Sequence, residues 1–161
     1  MSLARDIPLL RQVPLLGEFS DEQLRLLAFS AENVIANEGE VIFREGERSD
    51  SSYVIASGKV ALRGGEDKKE DLATVGPGTL LGEMALFIET TRPNTAVTLE
   101  RTEMIRIRRA LFKRMLQEYP DIAQAMHQGL AERLKATTGQ LLKVADTLDE
   151  LSLMPLNGKR G

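Results

Sequence analysis

Gly82-Glu83-Met84-Ala85-Leu86-Phe87, with Arg92 ten positions after its glycine in the segment Thr91-Arg92-Pro93-Asn94-Thr95-Ala96, reads as a cradle for an anion and a hydroxyl. A glycine lets a ligand approach the backbone closely. A short helical turn after it aims N–H groups at an anion, and a fixed arginine adds a guanidinium fork. Glu83 beside that anion needs a reason, because a carboxylate accepts hydrogen bonds and repels phosphate. It has one if the same ligand carries a sugar hydroxyl that donates to it. Phosphate and sugar hydroxyl on one small ligand describe a cyclic nucleotide.

The residues upstream extend the pattern through Gly39-Glu40-Val41-Ile42-Phe43, Gly46 and Tyr53-Val54-Ile55-Ala56-Ser57-Gly58-Lys59-Val60. With Gly82, Glu83, Met84, Ala85, Leu86, Arg92 and Thr95 they form the sequence G-E-[hydrophobic]-[small]-L, a loop, then an R-x-A-T-like segment. Across roughly residues 10 to 135 the chain resembles the cyclic nucleotide-binding domain of the catabolite activator protein, protein kinase A regulatory subunit and gated-channel families. The resemblance implies a mainly β fold with flanking helices: a jelly roll, or double-stranded β-helix, with an N-terminal helix and a long C-terminal helix. It also implies a regulatory module rather than an enzyme. In that reading Arg92 pairs with the cyclic phosphate, the N–H groups around Met84 to Leu86 complete the anion site, and Glu83 accepts from the ribose 2′-hydroxyl. The ligand-binding set is then Gly82, Glu83, Met84, Ala85, Leu86, Arg92, Pro93, Asn94 and Thr95.

Two of these positions depart from the family pattern. Pro93 stands where many relatives carry Ser, Thr or Ala, which removes a backbone N–H and a hydroxyl that could face the phosphate. Asn94 replaces a small alanine, and its amide can either bond to the ligand or crowd the pocket. A hydroxyl near the arginine tends to favour cGMP in the resembled families, so Pro93 leans toward cAMP. The two departures also leave open a ligand-free dimeric scaffold or protein-interaction module with a degenerate pocket.

Composition is consistent with a regulatory module. The 161 residues are 42% hydrophobic and 28% charged, enough for a sizeable core and ordinary for a globular domain. A net charge of −3 argues against nonspecific nucleic-acid binding as the main activity. There is no cysteine, hence no disulfide framework and no thiolate chemistry. His127 is the single histidine, so neither a His-rich metal site nor a Ser-His-Asp triad can be assembled, and no cofactor beyond the nucleotide ligand is expected. Arg5, Asp6 and Arg11 interrupt the apolar N-terminus where a signal peptide would need an unbroken core, and no apolar run reaches membrane-span length. A cytoplasmic protein is the expectation.

Four segments follow from the pattern: an N-terminal helical segment at 1–30, a β-roll core at 31–108, hinge and dimerisation helices at 109–151, and a flexible tail at 152–161. Ser20 and Gln23 form a capping box, with Phe19 and Leu24 placed for a hydrophobic staple, so a helix starts there and buries Leu24, Leu27 and Ala28. Between about Asn33 and Arg108, Val41-Phe43, Tyr53-Ile55, Lys59-Leu62, Ala96-Leu99 and Met104-Ile107 read as short strands separated by glycines and charged turns. Gly64 to Glu70 reads as a solvated hairpin tip, and Gly76-Pro77-Gly78 as turn residues.

Leu111, Phe112, Met115 and Leu116 mark a short helix that stops near Tyr119, with Pro120 opening the next. From Leu130 a 4-3 spacing runs through Leu134, Thr137, Leu141, Val144, Leu148 and Leu151. That seam either packs on the chain's own roll or pairs two protomers. A helix of roughly 30 residues extends about 45 Å, longer than a small roll covers, which favours a homodimer. The basic run Arg106, Arg108, Arg109, Lys113 and Arg114 reads as a solvated face. The tail is too short for a helix-turn-helix unit, so the expected partners are a nucleotide, a second copy and a protein effector, with neither DNA nor membrane.

Overall fold

The computed structural model describes residues 3–64 and 71–133. Two helices open the chain, α1 (Leu3–Arg11) and α2 (Asp21–Ser30), joined through a 3₁₀ turn at Pro14–Leu16. α2 begins at Ser20 because both halves of the capping box form. Gln23 N–H donates to Ser20 Oγ at 3.2 Å, and Ser20 N–H donates to Gln23 Oε1 at 2.8 Å. Its apolar stripe, Leu24, Leu27 and Ala28, is buried as the spacing predicts.

Eight strands follow: β1 (Glu32–Ala36), β2 (Val41–Phe43), β3 (Ser51–Ser57), β4 (Val60–Arg63), β5 (Asp71–Val75), β6 (Leu80–Leu81), β7 (Thr95–Thr98) and β8 (Thr102–Arg108). They form two four-stranded antiparallel sheets, β1-β8-β3-β6 and β2-β7-β4-β5. This is the expected jelly roll. All five strands read from the sequence are present. The additional ones are β1, the edge strand β5 and the two-residue β6.

Two cores result. Tyr53, Ile55, Val60, Leu81, Ala96 and Met104 fill the inside of the roll with Ala36 and Phe43. Val54, Ile105 and Ile107, from the opposite face of β3 and β8, join the helices in a larger cluster that includes Leu10, Leu16, Leu24, Leu27, Phe112 and Leu116. Alternation along two central strands therefore serves both cores.

α3 (Arg109–Glu118) leaves β8 directly, and α4 (Pro120–Arg133) starts at the proline that suits a first helical turn. Phe112 of α3 ties the helical core together. Its ring stacks on Phe19 at 6.1 Å and meets Phe87 edge-on at 5.6 Å. The 4-3 seam over residues 130–151 lies outside the residues whose side chains are described, as do the hairpin tip at 65–70 and the tail at 152–161. Among the described residues no helix is long and apolar enough to cross a membrane.

Candidate functional site

β6 ends at Gly82, whose φ of 73° and ψ of 45° lie in the left-handed region where a side chain is strained. Glycine is required for a second reason: a Cβ here would collide with Arg92 Nη1. Gly82 starts a 3₁₀ turn at Glu83–Leu86, and its carbonyl accepts from Ala85 N–H at 3.0 Å and from the Ser52 hydroxyl. The N–H groups at the start of such a turn have no partner within it. Since Ala85 N–H closes the turn, Met84 is the better placed anion donor of the expected 84–86 set.

Arg92 lies on the connection from β6 to β7 and is held at both backbone groups. Its N–H donates to Glu47 O at 2.8 Å, and its carbonyl accepts from Gly46 N–H at 2.9 Å. The residue is only 5% exposed. Nη2 donates to Ser51 O at 2.8 Å, and the guanidinium carbon stands 4.2 Å from the centroid of the Phe43 ring. Nη1 is buried and has no hydrogen-bond partner among the described residues. Burial pushes the guanidinium below its ordinary value, and Tyr53, Asp50 and Glu47 oppose that shift. An arginine nevertheless keeps its proton in a protein. A buried cation with an unmet donor costs free energy unless an anion completes it.

These elements enclose a cavity of about 240 Å³. Gly82, Glu83, Met84, Ala85, Arg92, Pro93 and Asn94 line it. Leu86 and Thr95 do not. Leu86 is fully buried in the helical core, and the Thr95 hydroxyl accepts from Glu45 N–H at 2.9 Å, fixing the strand that follows the arginine. The half-buried Asn94 amide has no hydrogen-bond partner among the described residues and lies beside Gly64, so a ligand in the cavity can reach it. Phe43, Leu62, Thr79, Leu80, Leu81, Thr90 and Thr91 complete the wall. Sequence reasoning placed Phe43 and Leu62 on strands but not at the site. Only the β2-β7-β4 neighbourhood brings both beside the arginine loop.

The basic run divides. Arg106 and Arg108 form ion pairs with Glu32 and Asp50 on the exposed surface, as a solvated face should. Burial raises the Asp50 pKa, but hydrogen bonds from Ser51 and Arg106, with the charges of Arg106 and Arg108, hold its carboxyl below the usual range. Arg109 turns inward. Its Nη1 donates toward Ser49 O at 3.0 Å, Ala85 O at 3.1 Å and Ile88 O at 3.1 Å. His127 is half-buried on α4.

Residues 34–119 match the family described as the cyclic nucleotide-binding domain. A cyclic nucleotide-binding-like protein from Brucella abortus is 45% identical, with a TM-score of 0.65 over 70% of this chain and 97% of that one. The catabolite activator protein of Thermus thermophilus is 31% identical, with a TM-score of 0.65 over 76% of this chain and 58% of that one. Among curated proteins, a lysophospholipase from Neurospora crassa is 32% identical over 134 residues, 81% of this chain and 9% of the relative. The chain thus spans under a tenth of the length of that enzyme.

Proposed function

The chain belongs to the cyclic nucleotide-binding domain family, and within it we propose a non-enzymatic regulatory module that binds cAMP in preference to cGMP. The observation that carries this reading is the buried Arg92 Nη1, a charged donor without a partner among the described residues, in the wall of a cavity that also holds Glu83. In the proposed complex Arg92 pairs with the cyclic phosphate, Met84 N–H and the Gly82 turn complete the anion site, and Glu83 accepts from the ribose 2′-hydroxyl. Pro93 offers no hydroxyl to the ligand, which supports the cAMP preference. Binding shifts the hinge and C-terminal helices, proposed as residues 109–151, because a ligand touching both roll and helix favours one arrangement over the other. The 4-3 seam supports a homodimer, and the proposed module works in the cytoplasm and passes its signal to a protein effector.

A second reading, a ligand-free dimeric scaffold, draws support from Pro93, which lacks an N–H, and from Asn94, whose amide occupies space at the cavity. Titration calorimetry with cAMP and cGMP separates the two. Saturable binding at micromolar or tighter affinity, stronger for cAMP and lost in Arg92→Ala, is the expected result. No heat from either nucleotide at millimolar concentration overturns the sensor in favour of the scaffold.

A further inference from the structure

Two arginines hold one short segment of chain from different sides. From the cavity, Arg92 Nη2 donates to Ser51 O at 2.8 Å. From the first residue of α3, Arg109 N–H donates to Asp50 O at 2.8 Å and Arg109 Nη1 to Ser49 O at 3.0 Å. The same Nη1 reaches Ala85 O and Ile88 O, each at 3.1 Å, at and just beyond the far end of the turn that opens at Gly82. An Nη nitrogen carries two protons, so the three carbonyls share them and all bear on one charged group.

The turn and α3 also pack together in the helical core, where Leu86 lies and Phe87, just past the turn, meets Phe112 edge-on. Hydrogen bonds converging on a guanidinium fix both separation and orientation. We propose that Arg109 is the positioning residue that fastens the anion-facing turn to the start of α3. A ligand that repositions Arg92 and the turn then moves α3 through this guanidinium. The proposal rests on the reading of the cavity as a phosphate site and adds the route by which its occupation leaves the roll.

The test has a ligand-free arm and a ligand arm, with Arg109→Met removing the charge and Arg109→Lys keeping it. Without ligand, hydrogen exchange at the amides of residues 84–88 and 109–113 should speed up together in Arg109→Met and stay close to the parent in Arg109→Lys. Exchange unchanged at 84–88 in Arg109→Met overturns the fastening. For the ligand arm, the chain has no native cysteine, so spin labels at Arg44→Cys and Gln124→Cys, both exposed, report the distance from roll to α4.

Saturating cAMP should change that distance in the labelled parent. The change should be absent in Arg109→Met, which should also bind cAMP about tenfold more weakly, and it should return in Arg109→Lys. A full distance change in Arg109→Met overturns the proposed route while leaving nucleotide binding intact. Coupled exchange in a protein that binds neither cAMP nor cGMP supports the fastening and instead removes the nucleotide reading.

Discussion

The two sheets of the roll differ in how much of their surface is covered. In β1-β8-β3-β6, Val54, Ile105 and Ile107 pack into the helical core while Tyr53, Ile55 and Met104 pack inside the roll. In β2-β7-β4-β5, Val60 and Ala96 face inward, but most of β5 is exposed, with Leu72 61% accessible. The cavity draws walls from both: Leu80, Leu81 and Gly82 from the end of the helix-backed sheet, Phe43 and Leu62 from the open one. Groups that must be held in place, such as Gly82 and the Ser51 carbonyl, sit on the doubly covered sheet or at its end. Ligand preference can be adjusted on the other side, where substitutions disturb one packed face instead of two.

Phe112→Ala tests the covered side most severely. Removing a fully buried ring that touches Phe19 and Phe87 should cost about 3–5 kcal/mol in urea denaturation. A loss under about 1 kcal/mol would mean that the helical layer contributes little to holding the sheet. Gly82→Ala, at the junction, should cost about 1–3 kcal/mol from the left-handed backbone. The new methyl would also displace Arg92, so calorimetric nucleotide binding should vanish in the folded variant. Retained affinity would show that the close approach of Gly82 to Arg92 is dispensable. Leu72→Ala on the open sheet should shift stability by no more than about 0.5 kcal/mol, read from the same urea midpoint. A larger change would place hidden packing on β5 and weaken the contrast.

How far each region could be read from sequence follows the same division. Tyr53-Val54-Ile55 and Met104-Ile105 stand out because both faces of their strands are buried, so the apolar character is nearly continuous. β5 is a mostly exposed edge strand and β6 only two residues long, so neither leaves a periodic signal. The local motif placed Gly82, Glu83, Met84, Ala85, Arg92, Pro93 and Asn94 around one cavity, because neighbouring residues on a turn and a loop stay neighbours. Phe43 and Leu62 arrive from distant strands, and their part in the wall depends on the β2-β7-β4 order, which spacing along the chain does not encode. Arg109 looked like its neighbours Arg106 and Arg108. Only the start of a helix at that residue turns its side chain away from the pairs that Glu32 and Asp50 make with the other two.

The position of β8 between β1 and β3 has a consequence for the order in which the protein is made. Neither β1 nor β3 finds its central partner until residues 102–108 leave the ribosome, and at typical elongation rates that lag is on the order of five seconds for β1. Through that interval the apolar run Tyr53-Val54-Ile55-Ala56 is already synthesised with its β8-facing edge unpaired. The helix-backed sheet, the more fully covered half of the finished roll, is thus the half whose central strand is synthesised last.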